Sequence, residues 1–144
     1  MAESLPRFDV TVIGGGPGGY VAAIRAAQLG FKTAIIEGHK LGGECLNYGC
    51  IPSKALITAG HVVDKIKSAD KMGITVSGFS VDLAKLIDWK GGVVKTLTGG
   101  IGQLLKANGV TQFKGQGSFV SRGQDGKSFR LQVDAGIDPY HGCL

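Results

Sequence analysis

Short apolar runs and one amphipathic segment alternate in the first quarter of the chain. Residues 9–13 predict a buried strand, because Val10, Val12 and Ile13 are β-branched and glycines follow directly. Apolar side chains then recur at helical spacing over residues 18–29, and Gly30 is a typical helix stop. Residues 32–37 predict a second strand with an apolar core. A strand, a helix and a strand in this order predict one parallel βαβ unit with a right-handed crossover.

The middle of the chain predicts helices. Residues 38–47 are expected to form a loop, and a helix is expected from about residue 49 to residue 71, with Pro52 early in it, where its missing N–H does no harm. Apolar residues in the segment 82–108 fit one or two amphipathic helices. Glycine in a helix costs up to roughly 1 kcal/mol against alanine, so four glycines in this segment predict a break or a kink. They are Gly91, Gly92, Gly99 and Gly100.

Three short apolar runs near the end of the chain predict strands at residues 110–113, 117–122 and 128–133. The turn sequence Gly-Gln-Asp-Gly at 123–126 predicts a hairpin between the last two. Together with the βαβ unit, these elements indicate the α/β class: a Rossmann-like domain with a parallel sheet, flanking helices and a small β-hairpin. We expect residues 1–134 to form a segment of one such domain, and residues 135–144, which show no periodicity, to form an irregular tail.

Composition and charge narrow the class of protein. Apolar residues make up 43% of the 144 residues, which is enough for a packed core, and the 16 basic and 11 acidic residues leave a net charge of +5. The basic residues are scattered, which disfavours nucleic acid as a partner. No apolar run is long enough for a membrane span, and the first ten residues carry no leader or transit-peptide pattern. We therefore expect a cytoplasmic protein or, if it is a processed eukaryotic one, a protein of the mitochondrial matrix.

The glycine-rich segment directly after the first predicted strand is the first candidate site. It reads GGGPGG, so Gly14, Gly16 and Gly19 satisfy the pattern G-x-G-x-x-G, with Pro17 and Gly18 between the last two glycines of the pattern. The first glycine allows a tight turn, the second lets backbone N–H groups approach a pyrophosphate, and the third lets helix and strand pack closely. The helix N-terminus adds unpaired N–H donors and a partial positive charge. Alone this motif is weak, because glycine-rich turns are common.

The context of the glycine loop makes a dinucleotide the predicted ligand. Glu37 ends the second predicted strand, 23 residues after Gly14, where an acidic residue can bind an adenosine ribose hydroxyl. The alternative is a structural glycine turn with Glu37 facing solvent. Because the loop follows a strand, opens a helix and is followed by this acid, dinucleotide binding is favoured. The motif does not separate FAD from NAD.

Two of the three cysteines, Cys45 and Cys50, form the second candidate site. Five positions of a regular helix advance about 7.5 Å, whereas bridged cysteines have Cα atoms roughly 4.4–6.8 Å apart. A disulfide therefore requires a distorted first turn, for which Gly49 supplies the freedom. Zinc ligands are disfavoured because the histidines fall at no metal spacing, and inert core cysteines would leave the neighbouring glycines unexplained. A redox pair is favoured, since a position near a helix N-terminus favours the Cys50 thiolate, and no metal site is expected.

Residues 41–54, LGGECLNYGCIPSK, resemble the active-site stretch of the flavin disulfide reductases, and the glycine loop fits the same family. The resemblance covers residues 7–133. Within the family, Leu46 and the run IPSK at 51–54 are similar to the dihydrolipoamide dehydrogenase group, whereas glutathione and mercuric reductases usually carry valine after the first cysteine and near the proline. The resemblance implies a Rossmann-like FAD-binding domain, present here in part, and a full-length homodimer with one FAD per subunit.

The resemblance also implies a role for each site residue. Cys45 would exchange with the substrate, Cys50 would be the flavin-proximal thiol, and Lys54 would lie beside the flavin and stabilise its reduced form. Electrons would pass from dihydrolipoamide, carried on lipoyl domains of 2-oxoacid dehydrogenase complexes, through this disulfide and FAD to NAD. The residues implied to contact FAD are Gly14, Gly16, Pro17, Gly18, Gly19, Glu37, Gly43, Cys45, Cys50 and Lys54.

Two alternatives stay open beside this interpretation. One is another flavin disulfide reductase, acting on glutathione or mercuric ion. The other is a non-catalytic nucleotide-binding chain with an unused disulfide. An ordinary NAD-linked dehydrogenase is disfavoured, because it would not need Cys45 and Cys50.

The chain departs from the family in three places. Glu44 stands where the family often has threonine near the FAD phosphates, so it is not assigned as a contact, and Tyr48 stands where valine is common. Family members are considerably longer, so we expect the NAD site and a His–Glu acid–base pair outside this chain, and the chain alone to be inactive. His141 and Cys143 lie in the predicted tail and are assigned no role.

Overall fold

A parallel sheet of three short strands carries the glycine loop in the computed structural model, which describes residues 5–135. Strand β1 (Val10–Ile13), helix α1 (Pro17–Gln28) and strand β2 (Thr33–Glu37) form the βαβ unit, and β2 also pairs with β3 (Thr111–Lys114). Both pairings are parallel, and the strand order is β1-β2-β3. The predicted α/β class and the βαβ unit are therefore confirmed.

Strand β2 holds the core of this sheet because it lies between two neighbours. Ala34, Ile35 and Ile36 are at most 2% exposed. A central parallel strand is covered on both faces, which explains why its sequence is a continuous apolar run rather than an alternating one. The strand ends at Glu37, so its first acidic residue lies at the carboxyl edge of the sheet.

Strands β4 (Gln116–Arg122) and β5 (Phe129–Asp134) form the predicted hairpin as a separate antiparallel pair. The carboxylate of Asp125 closes the turn. It accepts hydrogen bonds from the backbone N–H of Lys127 at 2.9 Å and of Ser128 at 2.8 Å, and from the Ser128 hydroxyl at 2.8 Å. An aspartate that accepts from the backbone a few residues ahead is a typical turn-forming residue.

The described chain divides into two compact units. One runs up to Gly43 and resumes at Gly100, so it contains the sheet and the hairpin, and the other is Glu44–Gly99. The second unit contains helix α3 (Cys50–Lys67) and a 3-10 turn (Ala69–Met72). The helix predicted over residues 49–71 is thus shorter than expected. It tightens into the 3-10 turn, which is followed by Gly73 in the left-handed conformation with φ of 74°.

Helix α2 (Gly43–Asn47) corrects the prediction that residues 38–47 form a loop. The first part of that segment is irregular, but its second part is helical. Glu44 lies in the first turn, where a carboxylate complements the positive end of a helix. A helix of five residues is too short to produce a periodic apolar signal in the sequence, and the adjacent glycines favoured a loop.

Helix α4 (Leu83–Ala107) is continuous over 25 residues, so the predicted break at its glycines is wrong, and the alternative of a kink stays a prediction. Glycine weakens a helix through its conformational entropy, but unlike proline it keeps the N–H that continues the hydrogen-bond ladder. A Cβ placed at any of the four glycines would meet no atom within 4 Å, so these positions have room for a side chain. Ile101 and Leu105, one turn apart on one face, are both buried.

Within residues 5–135, no helix is long and apolar enough to cross a membrane. The expected irregular tail lies outside the described residues from position 136 onward, together with His141 and Cys143. The segmentation into residues 1–134 and 135–144 therefore stays a prediction.

Replacing Gly91 in α4 by alanine should stabilise the chain. The new methyl group meets nothing within 4 Å, and alanine in a helix is favoured over glycine by about 0.5–1 kcal/mol. Urea denaturation followed by circular dichroism measures the change in the free energy of unfolding. The matched control is Gly19→Ala in α1, which should destabilise because its Cβ would overlap the Gly14 carbonyl. A loss of stability in Gly91→Ala would contradict the continuous helix.

The turn aspartate should make the hairpin sensitive to acid. Hydrogen bonds lower the pKa of Asp125 below its ordinary value of 3.8, first the bond from the Ser128 N–H and then that from the Lys127 N–H. A depressed folded-state pKa means that the carboxylate stabilises the hairpin above the unfolded pKa, and that this contribution is lost as the pH falls through the folded pKa. NMR titration should give a midpoint below 3.8. Ser128→Ala should move that midpoint upward, and a wild-type midpoint above 3.8 would refute the assignment.

Candidate functional site

The glycine loop turns sharply off strand β1 and starts helix α1. Gly14 has φ of +98°, which favours glycine, and its N–H donates to the Ile36 carbonyl at 2.8 Å. A Cβ at Gly19 would overlap the Gly14 carbonyl oxygen and come within 3.4 Å of a Val12 methyl. The first and third glycines of the motif therefore have the structural reasons predicted for them: a tight turn and a close approach of helix to strand.

The middle of the loop is open. A Cβ at Gly16 would meet only the Gly43 Cα, at 3.9 Å, and a Cβ at Gly18 would meet no atom within 4 Å. Gly16 is the N-cap of α1, no side chain caps it, and Pro17 takes the first helical position, where it has no N–H to leave unpaired. These positions leave backbone accessible to a ligand phosphate at a helix N-terminus.

Glu37 ties the end of β2 to the glycine loop. Its Oε2 accepts a hydrogen bond from the Gly15 N–H at 2.6 Å, and its Oε1 accepts one from the His39 N–H at 2.7 Å. The carboxylate is half-buried, so it is not the fully solvated acid of the alternative interpretation. It lies beside the loop where a ribose partner was predicted, and its role toward a ligand stays a prediction.

Gly15 is a site residue that sequence reasoning missed. It is buried, and a Cβ there would come within 2.8 Å of a Leu41 methyl and 3.1 Å of the Glu37 carboxylate. The signal in the sequence was the run of three glycines, one more than the motif requires. This extra glycine permits the carboxylate of Glu37 to approach the loop backbone.

A second glycine segment packs on the first. The Gly42 N–H donates to the Gly15 carbonyl at 2.8 Å. Gly43 has φ of +56°, and a Cβ on it would come within 2.8 Å of the Gly16 Cα. The sequence placed Gly43 among the cofactor residues through the resemblance, and the structure places it against the loop.

A shallow cavity of about 230 Å³ opens at the carboxyl edge of the sheet. Its walls include Gly14, Glu37, His39 and Gly117. In open α/β sheets, ligands bind outside the carboxyl ends of the strands, next to the phosphate-binding turn. The cavity, the open backbone at Gly16 and the Glu37 carboxylate therefore lie where the sequence predicted a dinucleotide, and its binding there stays a prediction.

Cys45 and Cys50 are joined by a disulfide, with their Cα atoms 4.7 Å apart. The geometry differs from the predicted distorted first turn, because Cys45 lies on α2 and Cys50 begins α3. Gly49 separates the two helices with φ of −111° and ψ of −96°, and its N–H still donates to the Glu44 carbonyl at 2.8 Å. The interruption of the helix, rather than its distortion, brings the cysteines within bridging distance.

The two bridged cysteines are not enclosed in a core. Cys45 is half-buried and Cys50 is exposed, which argues against inert core cysteines. Lys54 is also exposed and lies one helical turn after Cys50, on the same face of α3. Among residues 5–135 no cluster of three or more His, Cys, Asp or Glu side chains could hold a metal ion.

The two local departures from the family lie at the surface. Glu44 is exposed at the start of α2, and Tyr48 is 54% exposed. The larger tyrosine ring therefore does not have to fit into a closed core.

Residues 8–137 match the family model described as Pyridine nucleotide-disulphide oxidoreductase. The chain is 52% identical over 132 residues to a dihydrolipoyl dehydrogenase of Bacillus subtilis, covering 92% of this chain and 27% of that protein. It is 46% identical over 152 residues to a mitochondrial dihydrolipoyl dehydrogenase of Schizosaccharomyces pombe, covering 94% of this chain and 30% of that protein. The chain thus spans between 23% and 30% of the length of these and similar curated relatives.

The crystal structure of LpdA from Mycobacterium tuberculosis has a similar fold. The TM-score is 0.71 at 24% sequence identity, and the match covers 85% of this chain and 29% of that one. At this identity the likeness supports the fold alone, and it agrees with the predicted Rossmann-like domain.

Glu37→Gln should destabilise the chain. An amide offers one acceptor oxygen where the carboxylate offers two, so its NH2 group would face a backbone N–H. We expect a loss of about 1–3 kcal/mol in the free energy of unfolding, measured by urea denaturation. The matched control is Asp88→Asn, the same chemical change at an exposed position of α4, which should have little effect. Equal stabilities of Glu37→Gln and wild type would show that the carboxylate does not hold the loop.

Proposed function

This chain belongs to the pyridine nucleotide-disulphide oxidoreductase family, and we propose that it forms the FAD-binding and redox-disulfide segment of a dihydrolipoyl dehydrogenase. The observation that carries the proposal is the bridged, accessible pair Cys45–Cys50 in a chain that also has the glycine loop. Identities of 46–55% to proteins named dihydrolipoyl dehydrogenase favour that branch of the family.

One group of residues in this chain would bind FAD, and the cysteine pair would carry out the redox exchange. Gly14, Gly16 and Gly19, with Glu37 and Gly43, would hold the ADP half of FAD. The bound flavin would supply two-electron transfer toward a nicotinamide. The start of helix α1 would offer the backbone N–H of Gly18 and a partial positive charge to the phosphates. The NAD site would lie outside this segment.

The cysteine pair would carry the first chemical step by thiol–disulfide exchange. One thiolate of dihydrolipoamide attacks the accessible disulfide and forms a mixed disulfide, and its second thiol then closes the lipoamide ring. The products are lipoamide and the dithiol of Cys45 and Cys50, so two electrons and two protons pass to the chain. We propose Cys45 as the exchanging thiol, Cys50 as the flavin-proximal one, and Lys54 as the cation that stabilises reduced flavin.

The partners follow from the same proposal. The substrate would be dihydrolipoamide on the lipoyl domains of 2-oxoacid dehydrogenase complexes, and the whole enzyme would be a homodimer. Its location would be the cytoplasm or the mitochondrial matrix, in line with relatives from bacteria and a relative named as mitochondrial. In an enzyme that joins this segment to the remaining domains of its relatives, lipoamide should be preferred over glutathione disulfide and mercuric ion. A reversed preference would favour the other reductases.

The proposal predicts opposite spectra for two cysteine variants. With FAD added, Cys45→Ser keeps the thiolate of Cys50 and should show a long-wavelength absorbance band from thiolate and flavin. Cys50→Ser should lack this band, although it binds FAD equally well. Visible spectroscopy during an FAD titration measures both properties.

The wild-type chain is the control for these variants. It should show the band only after reduction with dithiothreitol, which converts the disulfide to the dithiol. Binding of FAD without a band in reduced wild type and in Cys45→Ser would favour a non-catalytic nucleotide-binding chain. A band in Cys50→Ser but not in Cys45→Ser would reverse the assigned roles of the two thiols.

A further inference from the structure

The glycine between the two cysteine-bearing helices is held from both sides. Its N–H donates to the Glu44 carbonyl of α2 at 2.8 Å. Its carbonyl oxygen accepts two hydrogen bonds from one residue, the backbone N–H of Ser53 at 3.1 Å and the Ser53 hydroxyl at 2.5 Å. Because glycine has the greatest backbone freedom of any residue, these contacts decide the conformation of Gly49.

The Ser53 hydroxyl also lies close to the backbone of Cys50. It lies 3.3 Å from the Cys50 carbonyl oxygen, in addition to its shorter bond to Gly49. Ser53 is exposed, so its hydroxyl could be satisfied by water, and it bonds to the backbone instead. No side chain caps the start of α3, and the Ser53 hydroxyl restrains the turn from within that helix.

We propose that Ser53 is a positioning residue that sets the thiol–disulfide equilibrium of the Cys45–Cys50 pair. In the disulfide the covalent bond already holds the two helix ends together. In the dithiol that restraint is gone, and the Ser53 hydroxyl limits how far the Gly49 turn can open. Removing the hydroxyl therefore frees the dithiol more than the disulfide, which makes oxidation less favourable. The inference deepens the proposed function, since it concerns the same cysteine pair.

The equilibrium can be measured on the full chain without flavin. The chain is equilibrated with defined ratios of reduced and oxidised dithiothreitol, whose two thiols supply the two electrons and two protons that reduce the disulfide. Acid quenching, alkylation of free thiols and mass spectrometry then give the fraction oxidised. In Ser53→Ala the equilibrium constant for disulfide formation should fall about two- to tenfold, the range expected for one hydrogen bond. Ser53→Thr, which keeps the hydroxyl, should restore it.

A matched control lies on the same helix. The Thr58 hydroxyl donates to the Lys54 carbonyl at 2.8 Å, the same type of bond between residues four apart. Thr58→Ala removes this bond and gains the same alanine helix propensity, but it lies away from the Gly49 turn. It should leave the equilibrium unchanged, and circular dichroism should show all three variants folded.

Three results would overturn the proposal. The first is an equilibrium constant in Ser53→Ala equal to that of wild type. The second is an equal shift in Thr58→Ala, and the third is loss of folding in Ser53→Ala, because the hydroxyl would then be a general stabilising contact. Failure of the proposed function would appear differently: the thiolate–flavin band would be missing, while Ser53→Ala would still lower the equilibrium constant for disulfide formation.

Discussion

The close approach of helix α1 to strand β1 is the constraint on which the glycine loop and its surroundings depend. Gly19 lies against the Gly14 carbonyl so tightly that a single methyl group would overlap it. Because of this contact, helix α1 begins directly after the loop, and its N-terminus is placed where it can bind an anion. The contact also brings the loop next to the end of β2, within reach of Glu37.

Backbone contacts, rather than large side chains, stiffen this region. Gly15 is bonded on both sides, since its N–H donates to Glu37 and its carbonyl accepts from Gly42. Gly43 then packs against Gly16 with no room for a side chain. The proposed phosphate contact would need open backbone at a fixed position, and a set of small residues tied to one carboxylate provides both properties.

The cysteine site follows a different principle. It depends on the interruption between helices α2 and α3, because of which Cys45 and Cys50, five positions apart in sequence, have Cα atoms only 4.7 Å apart. Gly49 makes the interruption possible, and its neighbours Glu44 and Ser53 restrain it. The resulting disulfide is accessible at Cys50, which exchange chemistry requires and a purely structural bridge in a core does not.

The sequence by itself determined the βαβ unit, the hairpin, the glycine loop and the cysteine pair, because each has a local signature. Continuous apolar runs, turn residues and fixed glycine spacing act over a few residues and need no distant partner. Two sequence-based predictions were wrong. Helix α2 was predicted as a loop, because a single helical turn is too short to show a periodic apolar pattern. A break was predicted in α4, but glycine lowers helix propensity without removing a backbone hydrogen bond.

Only the tertiary structure decided which residues meet. The bond from Gly15 to Glu37 joins positions 22 apart, and the contact of Gly43 with Gly16 joins two glycine segments separated by a helix and a strand. The break between α2 and α3 that allows the disulfide likewise depends on hydrogen bonds at Gly49. Such contacts arise from how the elements pack, and packing is a property of the whole fold that no short stretch of sequence encodes.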